Sequence, residues 1–203
     1  MIKKALLPLL FTLATSANAA VVVIDTDTSW LTTGNITNSD PGSGWNTSLA
    51  FDTSGWTSAV VSTADCHEAT ADCIWHDAVN SATRYSWFRK IFTVSGSITS
   101  ATIRGGVDDD ADIYLNGVKI LDDHNGFAQN FGPIDLTPYL VAGDNLIAVL
   151  AEDNIPIYGQ QHAFAAQLQI ETGNNVPEPG SLALLALGLV GLGVTKRREG
   201  KGK

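Results

Sequence analysis

Phe164, Ala166, Leu168 and Ile170 alternate with Ala165, Gln167, Gln169 and Glu171, and successive side chains of a strand point to opposite faces. This stretch is therefore read as a strand with one buried and one wet face. Tyr85 to Val94 is a longer aromatic and β-branched run. Ile98 to Val107 and Asp112 to Ile120 follow, and Asn145 to Glu152 is apolar on both faces, as a central strand is. Asn116-Gly117, between Tyr114-Leu115 and Val118-Lys119, signals a type I′ hairpin, because both central residues of that turn take positive φ. Before residue 182 no stretch holds a helical period. Short strands separated by turn residues predict an all-β sandwich, most simply a jelly roll.

The first third alternates less clearly. Ser39-Asp40-Pro41-Gly42-Ser43-Gly44 reads as a loop, and Trp30, Trp45 and Trp56 lie among Thr, Ser and Asn. Tryptophans of this kind either stack on the C–H faces of sugar rings or fill a core rich in small residues. Most of these three are read as core.

Both ends carry processing signals. Lys3 and Lys4, the apolar run Ala5 to Ala14 and the small residues Ala17-Asn18-Ala19 form a signal peptide over residues 1–19, so the mature chain starts at Ala20. Leu182 to Val194 has no charged residue, yet as a helix it spans roughly 20 Å, short of the roughly 30 Å hydrocarbon core. Gly188, Gly191 and Gly193 weaken it further. A single apolar helix is expected over 182–195, followed by a basic tail over 196–203 that stays cytoplasmic. Residues 173–181 form a Gly, Asn and Pro linker. Between the two ends lie about 155 residues, assigned to one domain over 20–172.

Val176, Pro177, Glu178 and Pro179, the apolar run, and Lys196, Arg197 and Arg198 together resemble the PEP-CTERM sorting signal of exosortase systems. The resemblance implies an exosortase and a signal peptidase as partners and an inner-membrane intermediate. It also implies final release or transfer to the cell surface or the extracellular matrix.

Between the signal peptide and the apolar run, five Lys and Arg face twenty Asp and Glu, a net charge of −15. This argues against nucleic acid or an anionic membrane as partner of the exported part and leaves neutral sugars and divalent cations open. Cys66 and Cys73 are the only cysteines. In an exported chain they are read as a disulfide closing a short loop, in preference to a zinc site with His67 and His76.

From Trp87-Phe88-Arg89-Lys90-Ile91-Phe92, through Gly106 to Gly117 and His124-Asn125-Gly126-Phe127, to Ile134-Asp135-Leu136-Thr137-Pro138-Tyr139-Leu140 and Gly143 to Val149, the chain resembles the galactose-binding-like jelly rolls of β-galactosidase-type glycosidases. The resemblance implies a galactose-binding-like β-sandwich, a fold that hosts sugar binding, protein contact and purely structural roles. It also implies that catalytic acids sit in a separate domain. Carbohydrate binding, including binding to extracellular polysaccharide, is the leading expectation, with Trp75, His76, His124, Asn125 and Asn154 as candidate contacts. A structural or adhesive matrix protein is the alternative, and a small hydrolase ranks third. No Gly-x-Ser-x-Gly or His-Glu-x-x-His motif is present, so the chain is read as non-catalytic and without a cofactor.

One metal reading stands beside this. Asp108, Asp109, Asp110 and Asp112 offer the hard oxygens that a structural Ca²⁺ prefers. The EF-hand pattern fails, with Ile113 where Gly is needed and Lys119 where Glu is needed, and in an extended chain alternate carboxylates stand nearly 7 Å apart.

Overall fold

The computed structural model describes residues 19–35, 37–64, 66, 71–77, 84–154 and 162–173. Residues 1–18 of the signal peptide, His67, most of the linker, the sorting residues Val176 to Pro179, the apolar segment 182–195 and Lys196 to Arg198 lie outside the described residues. Among the described residues no helix is long and apolar enough to cross a membrane.

Ala19–Gly173 forms one compact unit, built from two antiparallel sheets. The first contains β1 (Ala19–Asp25), β4 (Val60–Val61), β5 (Ile74–Trp75), β7 (Ser97–Asp108), β10 (Gln129–Asp135) and β12 (Ala163–Gly173). Its order is β10-β7-β12-β5-β4, and β1 also pairs with β12. The second sheet runs β3-β2-β6-β11-β8-β9, where β2 is Leu31–Asn35, β3 Thr57–Ser58, β6 Tyr85–Val94, β8 Asp110–Leu115, β9 Val118–Asp123 and β11 Gly143–Glu152. The expected all-β sandwich is thus observed. The run Asp112 to Ile120 resolves into the β8–β9 hairpin, with Asn116 at φ 50° and Gly117 at φ 85° as the type I′ turn requires.

The inner faces meet around Phe164. Its ring centroid lies 6.3 Å from Trp30, 5.8 Å from Phe88 and 6.2 Å from Phe131. Ile74, Ile103, Ile113, Leu115, Leu136 and Ile147 close the surrounding space. Full burial of one such side chain stabilises the fold by about 1.5–3 kcal/mol. Trp30 satisfies its indole by donating to the Asp25 carbonyl at 3.0 Å.

Both sheets are also covered on parts of their outer faces, which departs from the simple wet-face expectation. On β12, Ala165 is fully buried and Gln167 nearly so. Ala163 and Ala165 pack under the segment that carries Cys66, which is joined to Cys73 by the expected disulfide. Gln167 is held by donating to Asp25 at 2.9 Å and accepting from Arg104 at 3.0 Å. Small side chains give the disulfide segment room to lie flat on the sheet. On the second sheet, Trp87 of β6 and Leu146 and Ala148 of β11 point outward. They are covered by Trp45, Phe51 and Trp56 from the 37–56 loop, so β11 is apolar on both faces as its sequence indicates.

Candidate functional site

The 37–56 loop does more than seal the sheet. Asp40 accepts a hydrogen bond from the Gly42 amide at 2.6 Å, and the Gly44 carbonyl accepts from the Ser48 amide at 2.9 Å. Gly42 and Gly44 take φ of 126° and 91°, positions where a side chain would be strained. The resulting turn drops Trp45 onto Tyr114 edge-to-face at 5.6 Å and 78°. Thr47 packs over the hairpin tip, where Gly117 has no side chain to obstruct it.

Between this loop and the sheet lies an open cleft of about 380 Å³. Trp87, Tyr114 and Leu150 come from the sheet, and Trp45 from the loop. Asn38, Asp40, Ser43, Asn46 and Thr47 supply polar groups around them. Trp45 and Trp87 line the cleft but are almost wholly buried, whereas Tyr114 and Leu150 retain partial exposure. A concave site with a few aromatic groups and convergent hydroxyl, amide and carboxylate groups suits a small polar ligand with apolar faces.

A polar network continues from Tyr114 on the same face. The Tyr114 hydroxyl donates to Asp112 Oδ2 at 3.4 Å. Burial raises the phenol's pKa, and the negative charge of Asp112 adds to the rise. Lys119 Nζ bridges Asp112 and Asp122, at 2.9 Å from each. Although burial opposes its charge, these two carboxylates hold the ammonium well above the ordinary lysine range. The hydrogen bond from Lys119 in turn lowers the Asp122 pKa. His124 Nε2 lies 3.2 Å from Asp112 and 3.3 Å from Asp122. Asp110 accepts from the Gly126 amide at 2.7 Å and from the Asn154 side chain. Asp109 Oδ2 accepts from the Asn154 amide at 2.9 Å. Arg84 closes the row with Glu152 at 2.7 Å and Asn154 at 2.6 Å.

The structure gathers His124 and Asn154 along this row, with Asn125 beside them donating to Asp123 at 3.0 Å. Trp75 is different: it is fully buried between Phe88 and His162 and offers no surface to a sugar. The reason is its place on β5, which pairs with the central strand β12 and turns the indole inward. His76 is half-buried, and no hydrogen bond or ion pair joins it to His124, Asn125 or Asn154. His162 is packed in the interior, 3.5 Å from Asp153.

The four aspartates do not converge on one ion. Asp110 and Asp112 occupy alternate positions of the extended strand β8, and Asp109 turns to the Asn154 amide. The closer groupings are Asp110 with His124 and Glu152, and Asp112 with Asp122 and His124. In the second grouping Lys119 already supplies the balancing cation.

Sequence reading missed the cleft residues Asn38, Asp40, Asn46 and Tyr114, and also Phe127. That ring is 72% exposed on a turn pinned by the Asn125 side chain, which accepts from the Phe127 amide at 2.8 Å. The available signal was Asp40-Pro41-Gly42-Ser43-Gly44 immediately before Trp45, a turn that places an aromatic at its end.

Fold and C-terminus together define the class: an exported β-sandwich protein that is sorted by its C-terminal end. Residues 175–198 match the PEP-CTERM protein-sorting motif, so the chain carries the signal of proteins sorted to the cell surface or matrix. No curated protein matches the chain.

Among solved structures, a glycosyl hydrolase family 2 member from Bacteroides cellulosilyticus DSM 14838 is 21% identical, with a TM-score of 0.46 over 73% of this chain and 20% of its own. The Ruminococcus gnavus β-glucuronidase complexed with a C6-substituted uronic isofagomine is 13% identical, with a TM-score of 0.47 over 79% and 30%. For the Bacteroides uniformis β-glucuronidase the figures are 20%, 0.47, 74% and 18%. The chain therefore spans less than a third of the length of each of these proteins.

Proposed function

We propose that this protein is a non-catalytic glycan-binding module, processed by an exosortase and displayed at the cell surface or in extracellular polysaccharide. The observation that carries the reading is the cleft between the 37–56 loop and the second sheet. Its volume suits one or two sugar residues, its aromatic and aliphatic groups suit C–H faces, and its amides, hydroxyls and Asp40 suit sugar hydroxyls. The neighbouring carboxylates are engaged by Lys119, Arg84, Asn154 and backbone amides, an arrangement that orders the surface beside the cleft and supports a binding role. The function needs no cofactor.

Titration of the mature protein with neutral oligosaccharides tests this. Tyr114→Ala and Asn46→Ala are each expected to weaken binding about tenfold or more, the loss of one stacking or one hydrogen-bonding contact. If both variants, folded by circular dichroism, bind as tightly as the parent, the cleft is not the site. Absence of binding to every neutral glycan would overturn the reading itself.

Sorting has a separate readout. Pro177→Ala combined with Glu178→Ala is expected to leave the apolar tail attached and the protein in the membrane fraction. Normal maturation of that double variant would remove the exosortase from the proposal.

A further inference from the structure

The exported region has only five basic side chains, Arg84, Arg89, Lys90, Arg104 and Lys119. Arg84 and Lys119 pair with carboxylates, and Arg104 donates to Gln167. Arg89 is 3% exposed and forms no ion pair among the described residues. Its Nη2 donates to the Ser48 carbonyl at 2.7 Å, and its guanidinium lies over the Phe51 ring at 5.0 Å. Nη1 is buried without a hydrogen-bond partner. A guanidinium stays charged in proteins, and burying it with an open donor is costly unless something binds there. Arg104 and Lys90 also bond neutral groups, but they are exposed and half-exposed, so Arg89 alone of the five is buried without a carboxylate partner among the described residues.

Arg89 and Lys90 line a second pocket of about 180 Å³ with Ser29, Leu31, Leu49, Phe51, Thr53 and Ile91. Leu31, Leu49 and Ile91 are among the exposed large apolar residues. Arg89 follows Trp87 by two positions on the outer face of β6, so the strand positions that line the pocket and the glycan cleft stand about 7 Å apart. That is near the span of one sugar residue. The open Nη1 of Arg89 suits a carboxylate oxygen, Nη2 being held by the Ser48 carbonyl; Ser29 and Thr53 offer hydroxyls, and the aliphatic wall fits the ring's C–H face. The domain's net negative charge repels an acidic chain at long range, but screening beyond about 8 Å leaves the local fork to decide.

We propose that this pocket receives the carboxylate of a hexuronate residue, so that the protein binds an acidic polysaccharide with a neutral residue in the cleft and a uronate beside it. This rests on the glycan reading of the cleft.

The test compares an alternating glucose–glucuronate tetrasaccharide with its carboxyl-reduced counterpart on the mature protein. Carboxyl reduction is expected to weaken binding about tenfold or more, Arg89→Lys to weaken uronate binding partly, and Arg89→Met to make the two ligands equivalent. Should Arg89→Met fail to fold, Leu49→Trp, at a half-exposed position, fills the pocket and is expected to remove the uronate preference alone. Equal binding of both ligands by the parent overturns the uronate site while leaving the neutral glycan reading intact, and binding of neither overturns both. A sulfated neutral tetrasaccharide that binds as well as the uronate with the same Arg89 dependence overturns the carboxylate assignment.

Discussion

Gly106→Ala is expected to destabilise the sandwich by more than about 3 kcal/mol, beyond the usual range for added core volume. A Cβ at this position of β7 would stand 1.8 Å from the Cys66 carbonyl oxygen and 3.0 Å from Asn130 Oδ1. The first obstacle is backbone, which no rotamer change can move aside. Relief requires the disulfide segment to lift from the sheet, exposing Ala163 and Ala165, or β7 to separate from β12. Gly105→Ala meets the Ala165 carbonyl at 2.0 Å and is expected to behave alike. Gly55→Ala, with nothing within 4 Å, is the control and is expected to change stability by less than about 0.5 kcal/mol. Urea unfolding of the mature protein measures all three. A double-mutant cycle with Cys66→Ala and Cys73→Ala sharpens the test, because freeing the segment should lower the cost of Gly106→Ala. Strict additivity would mean that Cys66 is not held against β7.

The elements that could be read from sequence are those fixed by local rules. The Asn116-Gly117 turn is dictated by φ alone, and the double-faced burial of Asn145 to Glu152 and the alternation from Phe164 to Ile170 follow from a period of two. Departures occur where distant segments meet. Gln167 reads as wet, yet Asp25 and Arg104, far away in the chain, hold it inside. Trp75 reads as a candidate sugar contact because its strand has only two residues, too few to show alternation and so to mark the indole as core. Its inward direction is set by pairing to β12 and β4.

The candidate site was legible only in part for the same reason. His124 and Asn154 read as candidate sugar contacts, and the structure joins them through Asp112 and Asp110 of β8. The aspartates themselves suggested one shared ion. Extension of β8 separates them, as the 7 Å argument anticipates, and Lys119 arrives across the β8–β9 hairpin as the cation. The cleft needed knowledge that the 37–56 loop lies across β6, β11 and β8. Nothing periodic in that loop reports its partner. Only the register of the sheet beneath pairs Trp87 with Leu150 and sets Tyr114 two positions along, opposite Ala148.

Asn145→Ala is expected to cost about 3–5 kcal/mol, a large share of the 5–15 kcal/mol that holds a typical domain together. Asn145 is completely buried at the start of β11. Its Oδ1 accepts from the Val141 amide at 2.9 Å and from Asn116 Nδ2 at 2.8 Å, and its Nδ2 donates to the Val141 and Gly143 carbonyls at 2.8 and 2.9 Å. Asn116 in turn accepts from the Leu146 amide at 2.9 Å and donates to the Tyr139 carbonyl at 2.9 Å. One amide pair therefore ties the hairpin tip, the turn after Leu136 and the start of the central strand. Truncation leaves several part-buried backbone groups unpaired at up to about 1–3 kcal/mol each, less what water recovers by entering. Asn145→Asp separates polarity from shape, since it keeps both acceptors and loses both donors. A carboxylate there would face two carbonyl oxygens in a buried site, which raises its pKa above the unfolded value. The folded state then binds the extra proton, so the Asp variant should gain stability relative to the parent as pH falls from about 8 toward 5. An Asp variant that is as stable as the parent at pH 8, or that shows no such relative gain, would mean that the Asn145 amide donors do not hold Val141 and Gly143 in place.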